Sequence, residues 1–186
     1  MAKSAVKPAD RAPALAGFRF ANDHVAMHIA PPASRTNLRA TEKGAKAFEK
    51  KLGLTLPRAP SGAVASGGKL AFWLGPDEWL LVDEKNANTS MVPKAASNEF
   101  SAVDISHRNV AFVIDGPGAA NMLNAACPRD LSLKAFPVGT CSRTIFGKAE
   151  VVLYRKAKNT FRMECWRSFA PYVRDYLLEG ARDAHI

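Results

Sequence analysis

The sequence is poor in cysteine and has no long hydrophobic run. Its three cysteines, Cys127, Cys141 and Cys165, are widely spaced and form no Cys-x-x-Cys pair, which argues against a disulfide framework and a zinc site. We therefore predict free, buried thiols. The longest apolar runs, residues 110–114 and 151–154, have the length of strands, whereas a membrane-spanning helix needs about 20 apolar residues. A soluble globular protein without membrane association is predicted.

The N-terminus lacks the features of a targeting segment. Residues 1–17 are rich in alanine, lysine and proline and contain no apolar stretch of the roughly 7–15 residues that a secretory signal requires. This composition predicts a flexible N-terminal arm of a cytoplasmic protein. The formal charge is +9, and the excess lies in residues 1–60, where eleven lysines and arginines face four carboxylates. Such an arm suits an acidic partner surface, an anionic ligand or nucleic acid.

Hydrophobic periodicity predicts a strand, a helix and a hairpin in the first half of the chain. Residues 24–29 alternate between apolar and polar with period two, which is typical of a strand. Thr41 and Gly53 are the residue types of a helix N-cap and C-cap, so a helix is predicted between them. Residues 70–74 and 79–82 predict the two strands of a hairpin.

The second half predicts five strands and two helices. Residues 116–118 predict the turn that opens the first helix, and an apolar stripe after residue 168 predicts the closing helix, with Phe169 and Tyr176 on its buried face. In the last strand, residues 161, 163 and 165 alternate with residues 162, 164 and 166, which is the pattern of a strand. The predicted strands cover residues 100–105, 110–115, 140–146, 149–154 and 160–166.

This order of elements predicts an α+β fold in which two small lobes of antiparallel sheet pack with helices. The proline- and glycine-rich residues 57–68 predict a long loop or a seam between lobes. The predicted organisation is a flexible arm at 1–17, an N-terminal lobe at 18–99 and a C-terminal lobe at 100–186. The C-terminal half is predicted to be ferredoxin-like.

No convincing catalytic, cofactor-binding or metal-binding site emerges from the sequence. Asp104, Ser106 and His107 lie within four residues, but a working triad brings its members from separate elements, so a polar turn between strands is the favoured interpretation. His24 and His28 share the spacing of a metal pair, yet no third ligand is adjacent. The remaining alternatives are an anion site at the glycines of residues 116–118 and an RNA-binding module.

Exposed aromatic and arginine side chains are the main candidates for function. Tryptophan and arginine dominate the energetics of protein interfaces, and several of them fall at a strand-to-helix junction where side chains are often half covered. We predict an interface that includes Trp79, His107, Arg108, Trp166, Arg167 and Phe169.

Several ordered segments resemble one known family. The matching segments are residues 74–80, 104–109, 127–139, 146–150 and 164–171, and the resemblance extends over most of the chain from about Arg39. They are similar to the gamma subunit of heterotetrameric sarcosine oxidase. The resemblance implies an α+β chain related to part of the folate-binding fold of the glycine-cleavage aminomethyltransferase, with no catalytic residue of its own.

The resemblance also implies an activity that belongs to a complex. A bacterial, cytoplasmic heterotetramer would oxidise sarcosine to glycine, releasing hydrogen peroxide and formaldehyde or methylene-tetrahydrofolate. This chain would bind the alpha subunit directly, with beta and delta subunits elsewhere in the assembly, and FAD, FMN, NAD and tetrahydrofolate would be held by other subunits. Neither nucleic acid nor membrane is an expected partner. The alternative is an autonomous folate-binding protein resembling aminomethyltransferase.

Overall fold

A computed structural model describes residues 14–93 and 97–184 of the chain. The strands in these ranges are β1 (Arg19–Ala21), β2 (Ala26–Ile29), β3 (Ser34–Ala40), β4 (Ala63–Ser66), β5 (Lys69–Gly75), β6 (Glu78–Asp83), β7 (Phe100–Asp104), β8 (Asn109–Asp115), β9 (Cys141–Phe146), β10 (Ala149–Ala157) and β11 (Thr160–Trp166). The helices are α1 (Glu42–Leu52), α2 (Ala119–Asn124) and α3 (Ala170–Arg182). Within the described residues, no helix has the length and apolar content needed to cross a membrane.

The strands form two sheets in which every neighbouring pair is antiparallel. The six-stranded sheet has the order β1-β2-β8-β11-β10-β9, and the five-stranded sheet has the order β4-β5-β6-β3-β7. The predicted α+β class, with antiparallel sheets packed against helices, is confirmed.

The two sheets do not divide at the boundary predicted after residue 99. Strands β1 and β2 come from the first half but extend the six-stranded sheet, because β2 pairs with β8. Strand β7 comes from the second half but pairs with β3 in the five-stranded sheet. Residues 57–68, predicted as a long loop or a seam between lobes, also contain strand β4. The two sheets therefore exchange strands and fold as interdependent layers.

The ferredoxin-like prediction for the C-terminal half is not confirmed. In a split βαβ unit the two strands joined by the helix run parallel with one strand between them. Here β8 and β9, which flank α2, stand at opposite ends of the group β8-β11-β10-β9 and run antiparallel. Strands β9, β10 and β11 instead form a simple meander.

Four layers result, because each sheet buries both of its faces. Helices α2 and α3 cover one face of the six-stranded sheet, where the core includes Phe112, Met163 and Leu177. Helix α1 covers the outer face of the five-stranded sheet. The third core lies between the sheets and contains, among others, Phe72 and Tyr154, whose ring centroids are 5.0 Å apart.

The predicted caps of helix α1 are confirmed. The Thr41 hydroxyl accepts a hydrogen bond from the Gly44 backbone N–H at 3.2 Å, which satisfies one of the free donors of the first turn. Gly53 adopts a left-handed conformation with φ of 64°, and its N–H donates to the Glu49 carbonyl. Ala45, Phe48 and Leu52 form its buried face. Local residue types were therefore sufficient to define this helix.

Strands β1 and β3 were missed by the sequence prediction. β3 lies between β6 and β7, yet its sequence is largely polar because Arg35 and Asn37 point toward the space between the sheets. Only the opposite face, which includes Leu38, packs beneath α1. A strand whose inner face carries charge does not show the apolar alternation on which prediction depends.

The closing helix was predicted at the right place with a partly wrong buried face. Ala170, Val173 and Leu177 are buried, whereas Phe169 and Tyr176 are 40% and 42% exposed. The buried face of α3 includes the small residues Gly180 and Ala181, because α3 packs closely on α2. An added Cβ at Gly180 would lie 2.5 Å from the Met122 carbonyl oxygen.

This close approach predicts that Gly180→Ala destabilises the protein, although alanine favours helix formation. The methyl group must displace a backbone carbonyl, and overpacking of this kind costs about 1–3 kcal/mol. The matched control is Glu179→Ala at an exposed position of α3, which should change the free energy of unfolding by less than about 0.5 kcal/mol. Urea denaturation followed by circular dichroism measures both. Equal stability of Gly180→Ala and the wild type would refute the close packing of α3 on α2.

Candidate functional site

Four charged side chains form a chain of ion pairs between the sheets. Glu164 of β11 accepts a hydrogen bond from Arg35 Nε of β3 at 2.7 Å, and its other carboxylate oxygen lies 2.6 Å from Arg162 Nη2. Arg162 Nη1 also contacts Glu84 Oε1 at 2.8 Å. The side chain of Glu164 is 1% exposed and that of Arg35 3%, whereas Glu84 is 36% exposed. We call these four residues the interlayer ion cluster.

The electrostatics of the cluster keep Glu164 ionised. Burial raises the pKa of its carboxyl, but the charges and hydrogen bonds of Arg35 and Arg162 outweigh this effect and hold the pKa below its ordinary value of 4.5. A carboxylate sealed between two guanidinium groups cannot exchange protons near neutral pH. Glu164 is therefore a structural group.

The loop after β7 is attached directly to this cluster. The Ser106 hydroxyl accepts a hydrogen bond from the Arg35 backbone N–H at 2.8 Å, and the Ser106 N–H donates to Asp104 Oδ1 at 2.9 Å. Burial raises the pKa of the Asp104 carboxyl, but the hydrogen bonds from Ser106 predominate and lower it overall. His107 lies exposed on the turn. The favoured interpretation as a polar turn between strands is confirmed, because Ser106 is engaged with backbone.

Two cavities are lined by members of the Arg35–Glu164 pair. The larger, about 350 Å³, is lined by Arg35, His107 and Arg167 together with proline, alanine, valine, serine and asparagine side chains. The smaller, about 180 Å³, is lined by acidic and basic side chains, among them Glu164 and Arg108. Each member of the ion pair therefore contributes to the wall of one cavity.

Five of the six predicted interface residues come together on one surface. Arg108 stacks over the Trp166 ring with its Cζ 4.9 Å from the ring centroid, and the Trp166 and Phe169 ring centroids are 6.2 Å apart. The Arg167 N–H donates to the Arg108 carbonyl at 2.7 Å, which joins the loop to the end of β11. Trp166 is 41% and Phe169 40% exposed. We call the group of His107, Arg108, Trp166, Arg167 and Phe169 the Trp166 surface.

Trp79, the sixth predicted residue, does not belong to this surface. Its side chain is 1% exposed in the core beneath α1, and its indole N–H donates to the Pro57 carbonyl at 2.7 Å. The prediction placed it at an interface because tryptophan is common there, but alternation along β6 directs residue 79 toward α1. It offers no surface to a partner.

The cysteines are buried, as predicted. Burial raises the pKa of both the Cys141 and Cys165 thiols to about 12, so neither forms a reactive thiolate near neutral pH. Cys127 is also buried. All three therefore act as small apolar core residues.

The histidine pair and the glycine turn have structural positions. His28 lies in β2, and His24 precedes that strand. Among the described residues, no group of three or more His, Cys, Asp or Glu has an arrangement suited to a metal ion. Gly116 has φ of 121° and packs against the His24 carbonyl, so the turn before α2 requires glycine for conformation and space.

The interlayer ion cluster was missed by sequence analysis. Arg162 and Glu164 were used only as part of the alternation that predicts the last strand, and neither was assigned a partner. The strand is covered on both faces, with β8 and β10 beside it. The sequence did contain one signal of this cluster. An arginine and a glutamate stand two residues apart in a strand whose other residues are largely apolar, and this spacing puts them on the same face of the strand.

Comparisons with known proteins converge on one family. The family model described as "Sarcosine oxidase, gamma subunit family" matches residues 39–183. The sarcosine oxidase subunit gamma of Corynebacterium sp. (strain U-96) is 33% identical over 132 residues, and that of Corynebacterium sp. (strain P-1) is 27% identical over 141 residues. The alignments cover 69% and 74% of this chain, and 64% and 69% of the two relatives. The first relative is thus spanned over slightly less than two thirds of its length.

Solved structures share the fold. A chain of the heterotetrameric sarcosine oxidase from Corynebacterium sp. U-96, in complex with pyrrole 2-carboxylate, matches with a TM-score of 0.80 and 24% identity, covering 89% of this chain and 88% of that one. Aminomethyltransferase T of the glycine cleavage system from Bartonella henselae matches with a TM-score of 0.62 and 16% identity, covering 86% of this chain and 46% of that one. The predicted relation to the aminomethyltransferase fold is confirmed.

The buried geometry predicts that Glu164→Gln strongly destabilises the protein. Removing this charge leaves the buried Arg35 without its carboxylate and Arg162 with Glu84 alone, and breaking a buried ion pair in this way costs about 3–5 kcal/mol. The control, Glu84→Gln, removes the other carboxylate that Arg162 binds, but from a partly exposed position, and should cost about 1 kcal/mol or less. Chemical denaturation at pH 7 measures the difference. Similar losses for both variants would show that burial of the cluster does not determine its contribution.

The same geometry predicts how stability depends on pH. The pKa of Glu164 is lower in the folded protein than its ordinary value of 4.5, so its contribution is fully present above about pH 4.5 and is lost as pH falls through the folded value. The stability difference between the wild type and Glu164→Gln should therefore be constant between pH 5 and 7 and shrink below it. A difference that grows on acidification would contradict an ionised Glu164.

Proposed function

The chain belongs to the sarcosine oxidase gamma subunit family, and on that premise we propose that it is the non-catalytic gamma subunit of a heterotetrameric sarcosine oxidase. The complex would oxidatively demethylate sarcosine to glycine, with hydrogen peroxide and formaldehyde or methylene-tetrahydrofolate as products. The family match over residues 39–183 carries this proposal.

The proposal also assigns the cofactors and the contacts to particular subunits. FAD, FMN, NAD and tetrahydrofolate would be bound by the other subunits, and this chain would pack directly on the alpha subunit in a bacterial cytoplasm, with beta and delta completing the assembly. The fold shared with a chain of a heterotetrameric sarcosine oxidase over 89% of this chain supports membership of such an assembly.

The state of the potentially reactive side chains supports a non-catalytic role. The Glu164 carboxylate is neutralised by Arg35 and Arg162, the Ser106 hydroxyl is bonded to backbone, and the Cys141 and Cys165 thiols have pKa values raised to about 12. These groups stabilise the fold. They are not poised as a nucleophile, acid or base.

The Trp166 surface is the proposed contact with the larger subunit. It combines two half-exposed aromatic rings with arginines, the residue types that contribute most to binding free energy in protein interfaces. The stacking of Arg108 on Trp166 and the bond from Arg167 to Arg108 hold these side chains in place before association. A pre-organised surface loses less conformational entropy on binding.

An autonomous aminomethyltransferase-like enzyme is not favoured. The shared fold covers 86% of this chain but only 46% of the Bartonella henselae aminomethyltransferase. This chain therefore corresponds to less than half of that molecule.

The proposal predicts that the tagged chain, purified gently from its native host, carries larger subunits in stoichiometric amounts, a visible flavin absorbance and sarcosine-dependent peroxide release. Trp166→Ala and Phe169→Ala should each weaken this association by about tenfold or more, because each removes a central aromatic contact. The control is Leu133→Ala, an apolar residue that is 45% exposed outside the Trp166 surface, and it should co-purify like the wild type.

Two results would separate the parts of this proposal. A colourless chain recovered alone would contradict the assembly role. Normal recovery of the complex with both aromatic variants, at unchanged melting temperature, would leave the assembly role standing and refute the Trp166 surface as the contact.

A further inference from the structure

We propose that the larger cavity is a binding site for a small organic carboxylate that carries an apolar body. Its volume of about 350 Å³ falls within the range of small-ligand sites. The proposal concerns the isolated chain, and it does not depend on the proposed function.

The charge of the lining favours an anion. Arg35, His107 and Arg167 line the cavity, with Asn88 and Asn109 as further polar groups, and none of the described lining residues is an Asp or Glu. The smaller cavity has a mixed lining, in which Glu78, Glu150 and Glu164 lie beside Arg108 and Arg143. Of the two cavities, only the larger has basic side chains and no carboxylate among its described lining residues, and such a lining suits a carboxylate ligand.

Arg35 supplies the buried donor. Its guanidinium group has five N–H donors, and its bonds to Glu164 and to the Ala33 carbonyl use one hydrogen on each nitrogen. A second hydrogen on each terminal nitrogen is therefore available, on a side chain that is 3% exposed and lines the cavity. Bidentate binding of a carboxylate by arginine requires such a pair of donors.

The remaining wall would hold an apolar body. Pro31, Pro32, Ala33 and Val110 provide small or rigid apolar side chains opposite the polar groups. Proline rings lose little conformational entropy on contact with a ligand. Residues 1–13, which precede the lining residue Ala14, carry three basic side chains and one acidic side chain, so their charge does not complement this lining.

The test is a titration of the full, isotope-labelled chain, followed by NMR and calorimetry, with benzoate as the probe and benzamide as its neutral isostere. We expect saturable 1:1 binding of benzoate, with amide shifts in residues 33–35 and 106–110, and binding of benzamide at least about tenfold weaker, because it lacks the charge. Inorganic phosphate, an anion without an apolar body, should also bind at least about tenfold more weakly.

Substitutions locate the site. Arg167→Gln and His107→Gln change exposed lining residues, and we expect each to weaken benzoate binding by about three- to tenfold, with the melting temperature of each variant measured beside its affinity. The matched control is Arg182→Gln, which removes the same charge at a 74% exposed position outside the lining and should leave the affinity within about twofold. Arg35 is retained, because its loss would remove one of the two arginines that compensate the buried Glu164.

Four outcomes would overturn the carboxylate site. They are non-saturable benzoate binding, equal affinity for benzamide, equal affinity for phosphate at the same residues, and weakening by Arg182→Gln as large as that by Arg167→Gln. The first and last would indicate general attraction of anions to a basic chain, and the other two would assign the cavity to a different ligand class.

Discussion

The burial of Glu164 between two arginines is the constraint on which the rest of this structure depends. A carboxylate that is 1% exposed loses its hydration, and only well-placed opposite charges offset that cost. Arg162 lies on the same strand, but Arg35 comes from the other sheet, so the pair fixes the position of β3 relative to β11. A shift of either strand by one residue would point the side chain of Arg35 or Glu164 into the apolar core on the opposite face of its sheet.

The position of these charges determines the faces of the neighbouring elements. Because Arg35 points between the sheets, Leu38 on the opposite face must point toward α1, where it is fully buried. Because Glu164 points between the sheets, Met163 and Cys165 point toward α2 and α3. One buried pair therefore orients the residues of three separate cores.

Prediction from sequence succeeded where local chemistry was sufficient and failed where tertiary contacts decided. Thr41 and Gly53 defined the ends of α1 by capping, and the apolar residues 70–74 and 79–82 predicted the hairpin of β5 and β6. β3 was missed because its inner face is paired with charges that lie about 130 residues away in the sequence. Trp79 was misplaced for a related reason. A tryptophan favours burial, either in a core or in an interface. The residue type does not distinguish the two, and for Trp79 the register of β6 places the side chain in the core beneath α1.

The interlayer ion cluster also connects the interior to the surface proposed for assembly. Trp166 follows Glu164 by two residues on β11, so both side chains leave the strand on the same face. From the other side, Arg35 holds Ser106 through its backbone, and Ser106 fixes the turn that carries His107 and Arg108. The stacked pair of Arg108 and Trp166 is therefore connected to the buried Arg35–Glu164 pair, through Ser106 on one side and through β11 on the other. Side chains held in this way before association lose less conformational entropy when a partner binds.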